Sequence, residues 1–88
     1  VSVAGLKRGL IGREVRRLRN RLGMSQDEFA SAYGIPAANI RQYEIGRHMP
    51  PPAVRAYFKA IAADPEGVKT ALRRASAEAF DIPDVRAA

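Results

Sequence analysis

The sequence predicts an all-α fold of five short helices, on three observations. Apolar residues recur at helical spacing in separate stretches, glycines and prolines punctuate those stretches, and N-cap signals stand at two of the starts. In the first helix Ile11, Val15, Leu18 and Leu22 fall at i, i+4, i+7 and i+11, which is one apolar face. Arg13, Arg16, Arg17 and Arg21 take its other faces, and Gly23 is its expected C′ residue.

The second helix starts at Gln26. Ser25 and Glu28 form an S-x-x-E capping box, and Met24 and Phe29 flank it where a hydrophobic staple fixes the entry of the chain. Phe29, Ala30 and Tyr33 are its buried stripe. Gly34 tolerates a left-handed helix end, and Ile35-Pro36 cannot continue the same helix because proline lacks an N–H. The turn is therefore short, the third helix begins near Pro36, and the stretch Met24 to Arg47 reads as a helix, a tight turn and a helix.

Prolines 50 to 52 break the chain after Gly46. Val54, Tyr57, Phe58 and Ile61 then give the spacing of a fourth helix, with Pro52 in its first turn. Asp64-Pro65-Glu66 starts the fifth by combining an acidic N-cap, a proline at N1 and an acid suited to the helix dipole. Val68, Leu72, Ala75 and Ala79 form its stripe. The expected division is a flexible segment over 1–10, one domain over 11–80 and a tail over 81–88, whose Pro83 and lack of periodicity argue against more helix.

At about 100° per residue, Pro36, Ile40 and Tyr43 share the packing side of the third helix, and Ala37, Ala38, Arg41, Gln42 and Ile45 share the opposite side. That second face suits a DNA major groove. Alanine allows close approach and can touch a thymine methyl, arginine can donate two bonds to guanine, and glutamine can bond an adenine edge in both directions. A solvated face that touches nothing is the plain alternative.

Charge favours the first reading. Fifteen Lys and Arg oppose nine Asp and Glu, for a formal +6 and a pI near 10.5. Residues 1–50 hold nine basic and four acidic side chains and residues 51–88 hold six and five, so the positive charge travels with the motif and favours a polyanionic partner. With 88 residues the core is modest, and dimerisation would add stability. Cysteine is absent, which excludes disulfides and thiolate metal sites, and His48 is the single histidine. No nucleophile, base and metal set for an enzyme is present, and no cofactor is implied. Neither a membrane span nor a signal peptide is visible, so a soluble, cytoplasmic and nucleoid-associated protein is expected.

Five short helices with a helix-turn-helix at the second and third resemble the lambda- and 434-repressor-like (Cro/C1, XRE) DNA-binding domains, over residues 11 to 78. Within that family LGMSQDEFA, YGIP, IRQYEIGRHMP and FKAIAADPEGV look most like antitoxins of the HigA type. The family's aromatic-Glu-x-Gly-Arg pattern is kept as Tyr43, Glu44, Gly46 and Arg47.

The resemblance implies roles. Ser25, Gln26, Asn39 and Arg47 would contact phosphates, Ala37, Ala38, Arg41 and Gln42 would read bases, and Arg19 and Glu44 would form a buried salt bridge. Two departures weaken direct readout. Pro36 stands where a hydroxyl often caps the third helix, and Ala37 and Ala38 stand where longer polar side chains often read bases, so Arg41, Gln42 and DNA shape carry more of the specificity. The arginines of the first helix read either as a solvated face or as a site for phosphate or an acidic partner.

The resemblance further implies a homodimeric repressor on a palindromic operator, serving as the antitoxin of a RelE/HigB-type endoribonuclease toxin. A solitary or phage-type regulator and a protein-interaction adaptor without DNA binding are the alternatives. For the dimer contact, Leu72, Ala79 and Phe80 are favoured over Leu6, Leu10 and Ile11.

Overall fold

A computed structural model describes residues 2–77, with side chains to residue 75. Among the described residues there are five helices and no strand. They are α1 (Val3–Arg21), α2 (Gln26–Tyr33), α3 (Ala37–Glu44), α4 (Pro52–Ala63) and α5 (Pro65–Ala77). The all-α class and the order of elements are those the sequence predicts. Ala79, Phe80 and the tail over 81–88 lie outside the described residues.

The ends form as their chemistry demands. Ser25 Oγ accepts the Glu28 N–H at 3.0 Å while Glu28 Oε1 accepts the Ser25 N–H at 2.8 Å, closing the capping box. Gly34 takes φ 70° at the end of α2, where a side chain would be strained, and the Ile35 N–H closes back on the Ala30 carbonyl at 3.1 Å. Asp64 Oδ1 accepts the Gly67 N–H at 3.0 Å and so caps α5. Pro36 precedes α3 without a side-chain cap.

The first helix departs from expectation. It starts at Val3 rather than Ile11, so residues 3–10 belong to α1 instead of a free segment. Ser2 Oγ accepts the Gly5 N–H at 2.9 Å as a true N-cap, and Arg8 Nε donates to the Gly46 carbonyl at 3.0 Å, tying the early turns to the end of α3. A polar stripe, Arg8, Gly12, Arg16 and Arg19, recurs at i, i+4, i+8 and i+11 and faces α3. At Gly12 the helices nearly touch. A Cβ there would collide with the Tyr43 carbonyl and lie 2.8 Å from the Glu44 carbonyl.

Among the described residues nine side chains form the core: Val15, Leu18, Phe29, Ala30, Tyr33, Ile40, Tyr43, Phe58 and Ile61. Phe29 stands between Tyr33, at 5.1 Å centroid to centroid, and Phe58, at 6.3 Å, while Tyr43 meets Phe58 edge-on at 6.2 Å. Two phenols, buried Tyr33 and half-buried Tyr57, find carbonyl partners. Tyr33 donates to the Pro65 carbonyl and Tyr57 to the Tyr33 carbonyl, at 3.1 and 2.6 Å. Each fully buried Phe or Ile contributes about 1.5–3 kcal/mol. Ile40 lies in this core and Tyr43 at its edge, so the inner face of α3 is fixed and its outer face is presented. No described helix is long and apolar enough to cross a membrane.

Candidate nucleic-acid interface

The outer face of α3 is presented because the helix is held from behind. Glu44, on the last turn of α3, is the only charged residue in the buried set among the described residues, and its side chain is 1% exposed. Arg19 meets it with two parallel bonds, Nε to Oε2 at 2.7 Å and Nη2 to Oε1 at 2.9 Å. The pair expected from the resemblance is thus brought together in the structure, as a bidentate bridge from α1 to α3. Arg19 Nη1 also donates to the Met24 carbonyl at 3.0 Å, which anchors the chain just ahead of α2.

Two further groups reach the same carboxylate. Gln26 Nε2 donates to Glu44 Oε1 at 3.1 Å, and Arg16 Nε stands 3.6 Å from that oxygen. Burial alone would raise the Glu44 pKa. The hydrogen bonds from Arg19 and Gln26, with the charges of Arg19 and Arg16, outweigh it and bring the group below its ordinary value. Arg19 is raised in turn, first by its bond to Glu44. Neither the Gln26 link nor the Arg16 contact is evident from sequence. Arg16 lies one turn before Arg19 on the same face, which is the signal that points to it.

At the start of α2, the Ser25 hydroxyl and backbone N–H are both engaged by Glu28. The Gln26 and Asp27 amides have no acceptor in their own helix. Gln26 is therefore placed between Glu44 and that helix end.

On the outer face of α3, Ala38, Asn39 and Arg41 are exposed, and Ile45 is 62% exposed. Arg41 Nη1 stands 3.5 Å from Asp27 Oδ1, an open surface contact that contributes at most about 1 kcal/mol and leaves the guanidinium free to turn. Gln42 is half-buried, and its Oε1 is buried with no protein partner, so a two-way bond to adenine requires the side chain to rotate outward. Ala37 is half-buried and packs on the core cluster, because the turn through Ile35 delivers the first residue of α3 against it. Pro36, expected on the packing side, is exposed because it precedes the helix and does not follow its angular register. Arg47 is exposed just past α3, after Gly46 at φ 76°. Leu72 is half-buried and also packs on the core cluster, so most of its apolar surface is already used within the monomer.

Among the described residues no three His, Asp or Glu side chains cluster closely enough to hold a metal ion. The site offers a basic-edged helix held from behind. A family described as a helix-turn-helix domain matches residues 10–71. No curated protein and no solved structure matches the chain. Matched over that span, with α2, the Gly34 turn and α3 at its centre, the chain belongs to the helix-turn-helix domain family and has the build of a DNA-binding regulator.

Proposed function

We propose that the protein is a sequence-specific transcriptional repressor that binds a palindromic operator as a homodimer, at the nucleoid in the cytoplasm. The observation that carries this is the two-sided α3: Ile40 and Glu44 are buried and tied down, while Ala38 and Arg41 stand exposed on the outer face. Two copies would place their α3 helices in successive major grooves about 34 Å apart. Arg41 and Gln42 would read base edges, Ala38 would pack on a thymine methyl, and Ala37 would allow close approach. Gln26, Asn39, Arg47 and the capped end of α2 at Ser25 would hold phosphates.

The test is a binding titration on the DNA upstream of its own gene. Affinity should fall by roughly 10³ or more between 50 and 200 mM salt if about six phosphates are neutralised. A flat salt response would favour a protein-interaction adaptor.

The antitoxin role rests on the LGMSQDEFA, YGIP and IRQYEIGRHMP phrases, which resemble the HigA type. Its partner would be a RelE/HigB-type endoribonuclease encoded beside it. Expression of the neighbouring reading frame should arrest growth, and co-expression of this chain should restore it. A harmless neighbour would leave a solitary regulator.

A further inference from the structure

Between α1 and α4 runs an open groove of about 440 Å³, within the range of about 300–1,000 Å³ that binding sites occupy. Ile11, Val15, Leu18 and Phe58 form its apolar floor. Its rim is cationic. Arg17 and Arg21 from α1 and Arg55 and Lys59 from α4 oppose a single acid, Glu14, so the rim carries a net +3. Nothing in the repressor reading uses this surface, which lies away from the outer face of α3 in the lining it draws on.

The same sequence contains a segment of opposite character. Residues 78–85 read Glu-Ala-Phe-Asp-Ile-Pro-Asp-Val, with acids at 78, 81 and 84, apolar side chains at 80, 82 and 85, and no base. In an extended chain Phe80 and Ile82 fall on one side and Asp81 on the other, and Pro83 disfavours continued helix. An apolar floor between cationic rims is the complement of that pattern.

The packing of α5 favours a second copy as the donor of that segment. α5 packs on α4 and α2, with Lys69, Leu72 and Arg73 beside Ser31 and Ala32, whereas the groove is on the side of α1. Phe80 is three residues past Ala77, a reach of about 10 Å at most. Crossing one helix already requires about 10–12 Å.

We infer that residues 78–85 of a second copy occupy the α1–α4 groove, Phe80 and Ile82 on the floor and the three acids at the arginine and lysine rim. The exchange is reciprocal, so one contact is made twice around a two-fold axis. It deepens, and rests on, the homodimer of the proposed function.

The absence of cysteine permits a direct test in the full chain. Ala62, in the groove wall, and Ile82 are changed as Ala62→Cys and Ile82→Cys, with Ala38→Cys and Ile82→Cys as the control pair on α3. Under mild oxidation the groove pair should form disulfides between two chains about ten-fold or more faster than the control, as expected of a docked segment over a freely colliding one. Adding Lys59→Glu should slow that reaction, with helicity by circular dichroism showing that the variants remain folded. Equal rates for the two pairs, or disulfides formed within one chain, would overturn the inference. Sedimentation of the unmodified protein separates the two readings. A monomer at all concentrations refutes the homodimer itself, while a dimer unaffected by Phe80→Ala refutes only the seat of the tail.

Discussion

At Glu44 one carboxylate gathers the N-terminal end of α2, the C-terminal end of α3 and the C-terminal turns of α1. Its partners Arg19, Gln26 and Arg16 come from two other helices, so its geometry sets how the two halves of the motif lie. Glu44→Ala leaves the Arg19 guanidinium, 14% exposed, without its acid, and should cost about 3–5 kcal/mol. A urea melt with a lower midpoint and an unchanged slope would show it. The acid response follows from the same site. A carboxylate with a lowered folded pKa gives stability that is complete above its ordinary 4.5 and is lost as pH falls through the folded value. The wild type should therefore lose stability below about pH 4.5 more steeply than Glu44→Gln. Equal slopes would refute a role for this carboxylate in acid unfolding.

The helix-turn-helix was legible because its parts are local. Ser25 with Glu28, Gly34, Pro36 and the spacing of Phe29, Ala30 and Tyr33 each act within a turn or two of themselves. The first eight residues of α1 were not legible, since an apolar period sees only Ile11 to Leu22 while the earlier turns are held by a Ser2 cap and by Arg8 on the Gly46 carbonyl. Arg8 meets the Gly46 carbonyl, Gly12 lets the helices touch, and Arg16 and Arg19 meet the Glu44 carboxylate, so this stripe is a packing face without apolar side chains. The Gln26–Glu44 bond spans 18 residues and depends on a helix crossing that spacing alone does not give.

Two glycines of α1 test this directly. Gly12→Ala drives a methyl into the Tyr43 and Glu44 carbonyls and should cost about 1–3 kcal/mol or more. Gly9→Ala meets nothing within 4 Å and should stabilise the helix by about 0.5–1 kcal/mol. Thermal melts of the two variants should move in opposite directions, and a shared direction would refute the close α1–α3 approach.

Across the whole molecule the charge is not a uniform coat. α1 holds seven of the fifteen basic residues and one acid, yet Arg8 and Arg19 are spent on α3 and its turn, and Arg16 leans toward Glu44. Of the outward charge that remains, Arg41 and Arg47 lie on the α3 side and Arg17, paired with Glu14, Arg21 and Lys59 on the groove rim, while Lys7, Arg13 and Arg74 are exposed elsewhere. One face is thereby suited to a nucleic acid and another to an acidic segment of protein. Base reading by the outer face of α3 is tested most directly by the base-preference profile of Arg41→Ala against wild type. Loss of the Asp27 contact would shift all sequences evenly and by little, whereas loss of a guanine contact removes about 1–3 kcal/mol of discrimination at one position of each half-site. Relaxation confined to that position is the predicted result. An unchanged profile, with affinity lowered equally on every sequence, would contradict it.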